Sequence, residues 1–112
     1  MDQNFKYLTH NPEDEKWGLY MMVTGSAKIE PHTPYPPPGH PAGYSFQWNK
    51  GRILQEYQIN YITEGGGILE TGKNKYPVRA GSLLLIHPNV WHRYRPEWET
   101  GWFEHYAGFR GE

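Results

Sequence analysis

Seven residues from Arg52 onward have side chains suited to holding a polar small molecule: Arg52, Gln58, Asn60, His92, Tyr94, Glu104 and Tyr106. Arginine, histidine, glutamate and amides exchange hydrogen bonds with hydroxyls, while tyrosine offers a flat apolar face to the CH side of a sugar. Other chemistries fit less well. His87 and His92 are five apart across a turn, a poor spacing for one metal, and there are no cysteines to help. Ser26, Ser45 and Ser82 sit in or beside turns with no paired histidine and carboxylate. Glu56, Glu70 and Glu104 could supply paired carboxylates for glycoside hydrolysis, but nothing in their spacing brings them face to face. The set therefore reads as a binding set, with no catalytic residue and no metal. Taken singly, each aromatic reads more simply as barrel core.

Strands must position these residues. Thirteen glycines, ten prolines and nine tyrosines favour strands and turns over helices. Residues 81–94, GSLLLIHPNVWHRY, read as a buried strand, a turn at His87-Pro88-Asn89, and a strand re-entered at Val90 that faces a cavity. Residues 52–63 read as a long strand bent near Gln55. From Tyr57 on, Gln58, Asn60 and Ile62 share one face and Tyr57, Ile59 and Tyr61 the other. The amide-bearing face is either solvated or lines a polar cavity. In the last strand, 102–109, Trp102, Glu104, Tyr106 and Gly108 share a face.

The flanking stretches follow the same logic. Residues 17–24 read as a strand ended by Gly25. Residues 25–43 hold six prolines and three glycines, a density that predicts a rigid extended loop and excludes a central strand. His32 and His40 lie in it as ordinary surface histidines. Tyr44, Phe46 and Trp48 alternate as one face of a further strand. Glu64-Gly65-Gly66-Gly67 reads as a tight turn; no GK[ST] follows, so a phosphate loop is excluded. Residues 76–79 make a short strand whose proline favours an edge. Residues 1–16 are polar and form either a loose terminus or an arm over a pocket. About eight strands with no convincing helix predict an all-β antiparallel barrel or jelly roll.

At 112 residues the chain is one domain. Eleven basic residues against twelve acidic ones argue against a nucleic-acid footprint of its own. No membrane-spanning run and no signal peptide are visible, so a cytoplasmic location without membrane contact is expected.

Three blocks, GRILQEYQINYITEGGGILET, RAGSLLLIHPNVWHRYRP and TGWFEHYAGFRG, together resemble the N-terminal effector-binding domain of AraC-type transcription regulators, a cupin fold (a double-stranded β-helix or jelly-roll-like barrel). The resemblance covers residues 51–112, and more loosely 17–48. It implies an N-terminal arm over 1–16 and a cupin-like ligand-binding domain over 17–112. It further implies a homodimer and a sugar or related small molecule as effector, with DNA held only by a C-terminal helix-turn-helix half outside this sequence.

The resemblance also implies which residues matter. Of the second cupin motif, Gly81 and His92 match, while His87 and Asn89 stand for its proline and glycine. In the first motif Gly65 matches, Gln58 stands where a metal-binding glutamate would be, and the histidine pair falls near Arg52 and Leu54. One of four ligands remains, so a cupin without metal or other cofactor, and not an enzyme, is the expectation. Arg52 and Tyr94 resemble sugar contacts of arabinose-responsive members. Tyr106 stands where a stacking tryptophan is expected and Glu104 where a histidine is, which points away from arabinose itself. The alternative is a small cupin enzyme acting on a sugar, an isomerase, epimerase or lyase; a third is a pure dimerisation module.

Overall fold

The computed structural model describes residues 2–7, 19–35 and 48–111. Among these, seven strands run in order: β1 (Asp2–Tyr7), β2 (Leu19–Ile29), β3 (Tyr57–Thr71), β4 (Lys75–Arg79), β5 (Leu83–Ile86), β6 (His92–Pro96) and β7 (Trp102–Gly111). All pairings are antiparallel. The first half of β3 lies between β5 and β7, and β7 continues through β2 to β1 at the edge. The second half of β3 lies between β4 and β6. One strand thus belongs to both walls of an all-β cupin-like barrel, and the core fills the space between them.

The passage of β3 from one wall to the other explains its glycines. The register shifts between Ile62 and Glu64, and Gly65 takes a φ of 78°, which together make a bulge that bends the strand. A Cβ on Gly65 would run into the Gly101 carbonyl oxygen. A Cβ on Gly67 would meet the Arg95 carbonyl and the Trp102 ring. The run 64–67 is therefore strand interior where backbones approach closely, and the expected tight turn is corrected on that ground.

The core cluster joins Ala27 and Ile29 of β2, Ile62 and Leu69 of β3, Val78 of β4, Leu84 and Ile86 of β5, Tyr94 of β6 and Trp102 of β7. On β3 the buried face is the one carrying Gln58, Asn60 and Ile62. The choice between a solvated face and a polar cavity wall is settled for burial. β4 sits at a sheet edge, as its proline predicts.

Four further expectations change. β2 does not end at Gly25 but runs to Ile29, so the first residues of the proline-rich stretch belong to a strand between β1 and β7. The prolines begin only at Pro31, and composition averaged over 25–43 hides that boundary. β5 is half-buried: Leu84 and Ile86 face inward while Leu83 and Leu85 are exposed, because period-2 geometry overrides an unbroken apolar run. The long strand begins at Tyr57; before it, Arg52 makes an isolated bridge to His92. At the amino terminus, 2–7 form β1 and so are not a loose tail. His40 and most of the predicted 44–48 strand lie outside the described residues; Trp48 is in a turn. Among the described residues no helix is long and apolar enough to cross a membrane.

Candidate ligand-binding site

The site starts from a backbone pair. Arg52 N–H donates to the His92 carbonyl at 2.9 Å and His92 N–H returns to the Arg52 carbonyl at 3.0 Å. This bridge sets the two side chains next to each other. Arg52 Nε donates to His92 Nε2 at 2.9 Å, and Nη2 donates to Gln58 Oε1 at 3.1 Å and to the Tyr94 hydroxyl oxygen at 2.6 Å. Gln58 Nε2 donates in turn to Tyr94 at 2.8 Å and to Asn60 Oδ1 at 2.6 Å. Asn60 Nδ2 reaches Glu104 Oε2 at a long 3.4 Å. Six of the seven sequence candidates therefore form one chain of hydrogen bonds across β3, β6 and β7. Tyr106 flanks it, opposite Asn60 in the β3–β7 register.

Strand periodicity makes this possible. Gln58 and Asn60 share the inward face of β3, and His92 and Tyr94 that of β6. His92 stacks on Tyr94 at 6.0 Å and 12° between planes, and the Arg52 guanidinium lies 5.3 Å from the Tyr94 ring centre, a cation–π contact.

One residue was missed. Tyr35, from the proline-rich stretch, packs against Tyr94 and Trp102 and donates its hydroxyl to both Glu104 oxygens, at 3.1 and 3.0 Å. A single bulky amphipathic side chain among stiff prolines was the signal that could have found it. Burial, the nearby Glu104 and Tyr94, and that hydrogen bond keep its phenol well above the usual pKa and hence a donor.

Two ionisable groups are displaced in opposite directions. Burial, then the Arg52 charge, lowers His92 to about 4, against a smaller opposing effect of its bond to the Val90 carbonyl. The imidazole is neutral at neutral pH. With Nδ1 3.1 Å from the Val90 carbonyl and Nε2 facing the Arg52 donor, the network assigns the Nδ1–H tautomer. Burial raises Glu104 to about 7, opposed by Tyr35, Arg52, Trp102 and Asn60. The Trp102 indole acts there through a contact looser than a hydrogen bond, since its N–H closes none.

The donor set does not fit a cupin-type metal. The His92 Nε2 lone pair is committed to Arg52, and its neighbours are a guanidinium, an amide and a phenol, so a fixed organic cation sits where a metal would need ligands. Among the described residues no three His, Cys, Asp or Glu side chains converge. Glu56 is buried beside Gly108, and Glu70 pairs with Arg93 at 3.1 Å.

Residues 35–112 match the family of AraC-like ligand binding domains, and the chain belongs to it. No curated protein sequence matches it. Among solved structures, a predicted oxalate decarboxylase from Thermotoga maritima is similar at 14% identity with a TM-score of 0.58, over 98% of this chain and 81% of that one. A cupin protein from Bacteroides fragilis is similar at 16% identity and TM-score 0.53, over 84% and 66%. KdgF from Halomonas sp. is similar at 14% and 0.52, over 95% and 79%. At these identities the likeness establishes the cupin fold alone. It also corrects one expectation. The domain was read as not an enzyme, yet the fold it shares along almost its whole length is also that of a predicted decarboxylase. A missing metal set was too narrow a ground for setting catalysis aside.

Proposed function

We propose that this AraC-like ligand-binding domain holds a small polyhydroxylated molecule, a sugar or a related polyol, in the polar half of its barrel, as the effector-sensing part of a bacterial transcription regulator. The observation that carries the reading is the unbroken chain of donors and acceptors from the half-buried Arg52 to Glu104, through Gln58, Asn60, His92 and Tyr94 buried on β3 and β6. In this reading the domain acts as a homodimer. Effector binding favours one arrangement of the dimer over another and so repositions a DNA-binding half outside this sequence. Calorimetry against pentoses, hexoses and uronic acids tests it: one class binds, and Arg52→Ala and Tyr94→Ala each lose at least tenfold in affinity. A broad panel without a binder sinks it.

A second reading has its own observation. A carboxyl at about 7 can give or take a proton at neutral pH, as a general acid–base must. With Arg52 as a fixed positive charge nearby, Glu104 fits an isomerase, epimerase or lyase acting on the same sugar. Incorporation of deuterium from heavy water into a bound sugar, abolished in Glu104→Gln with binding retained, distinguishes turnover from sensing.

A further inference from the structure

Outside the interior network, a cleft of about 850 Å³ lies between the 30–35 segment, the end of β6 and the edge of β4. None of the seven interior candidates lines it. Tyr35 lines it and also donates its hydroxyl to Glu104, so Tyr35 stands at the border between the cleft and the interior. The volume falls in the range of small-molecule sites, roughly 300–1,000 Å³.

The turn at one side of the cleft presents Glu97, Trp98 and Glu99 in succession. Trp98 is 56% exposed and takes no part in the core. Its position is nonetheless fixed. Glu97 N–H is bonded to the Gly66 carbonyl and Gly101 N–H to the Glu97 carbonyl, both at 2.8 Å. From the other loop, His32 N–H donates to the Trp98 carbonyl at 2.8 Å, its Nε2 lies 3.1 Å from Glu99, and its ring is 5.6 Å from the Trp98 indole. His32 does this from the left-handed backbone region, φ 63°, which a residue with a Cβ adopts only at a cost. The fold thus holds an exposed indole rigidly between two carboxylates. The Arg95 guanidinium, also in the lining, is itself oriented, stacked 3.9 Å from the centre of the Trp48 ring, and Lys75 lines the cleft as well.

This layout matches one ligand chemistry best. Acceptor carboxylates and cationic donors both line a space with an indole face, which suits hydroxyls on a ring whose CH face stacks. Among the described lining residues, three carboxylates, counting Glu30, against two cations disfavour an anion. We infer that this cleft is a second, exterior site for a neutral oligosaccharide, which stacks a sugar ring on Trp98 and places hydroxyls against Glu97, Glu99 and Arg95. It goes beyond the proposed interior site and does not require that site to be occupied.

The test uses the full chain, isotope-labelled, and reads the Trp98 indole N–H resonance together with the backbone amides of Glu97 to Gly101, which remain readable in every variant, during titration with maltotetraose, cellotetraose, xylotetraose and mannotetraose. At least one is expected to shift that resonance, with affinity reduced tenfold or more in Trp98→Ala and severalfold in His32→Gly, which relaxes the backbone while removing the clasp. The backbone amides of Gln58, Asn60 and Glu104 stay in place during the titration. A panel that shifts nothing, or binding unchanged by Trp98→Ala, overturns the inference; so does a ligand that moves those interior amides and leaves Trp98 unmoved, which would put the ligand inside. Failure of the interior reading shows separately, as monosaccharides that bind nowhere while the Trp98 response persists.

Discussion

Two parts of the barrel interior are equally buried and built on the same strands, yet they differ in kind. On β3 the inward positions pass from Asn60 to Ile62, both 0% exposed, within one repeat of the strand. On β7 they pass from Trp102 to Glu104, at 2% and 3%. The apolar part, centred on Ile62, Leu84 and Trp102, gains stability from every area removed from water. The polar part gains little net, since each buried group must first recover the hydrogen bonds it had with solvent. Equal burial therefore does not mean equal purpose. Aliphatic residues would hold the barrel better, so the polar part is better explained by what it binds than by what it stabilises.

The largest effect should come from the apolar side. Trp102→Ala removes the largest fully buried side chain and should cost about 3–5 kcal/mol in chemical denaturation. A loss under 1 kcal/mol would mean that the two parts do not divide the work in this way.

Proton linkage sharpens the contrast next. Glu104 is displaced from 4.5 to about 7, so the folded state binds the extra proton, and stability falls as pH rises through that window. His92 is displaced from 6.5 to about 4, so the unfolded state binds the extra proton, and stability rises from pH 4 to 6.5. Each displacement corresponds to roughly 3 kcal/mol at about 1.36 kcal/mol per unit. In the parent the two slopes oppose each other and the profile should be nearly flat between pH 4.5 and 6.5. Glu104→Gln should leave the rising arm alone, and His92→Gln the falling one. Identical profiles for parent and both variants would show that neither group is displaced.

Tyr94→Phe removes the hydroxyl that accepts from both Arg52 and Gln58 while keeping the ring, and should cost about 1–2 kcal/mol. The loss in monosaccharide affinity should exceed tenfold, and calorimetry reads whether affinity falls more than stability does. At the small end, Leu85→Ser on the exposed face of β5 should change stability by no more than about 0.5 kcal/mol. A larger cost would mean that this face is covered in solution.

Most of the site was legible because side-chain period in a strand depends only on local geometry. The alternation of Gln58, Asn60 and Ile62, and of Trp102, Glu104 and Tyr106, needs no tertiary information to be seen. What alternation lacks is a sign: it separates two faces without saying which is inside. Gln58 and Asn60 could be placed in the interior only once β7 and β5 were seen to flank them. Tyr35 was lost for a related reason. Its role depends on where an irregular segment crosses the barrel, and no periodic pattern records that. The glycines at 65–67 misled because turn and close backbone approach use the same residue.

The chain by itself determined the strand-forming class, the polar set from Arg52 to Glu104, and the resemblance to AraC-type ligand-binding domains that the family match bears out. Those follow from residue types and short-range spacing. Only the tertiary structure decided that β3 serves both walls and that Arg52 takes the Nε2 lone pair of His92. It also decided that Tyr35 closes on Glu104 and that His32 braces Trp98. Each of these joins residues far apart in the chain, and long-range contacts are set by how sheets pack, which no local spacing encodes.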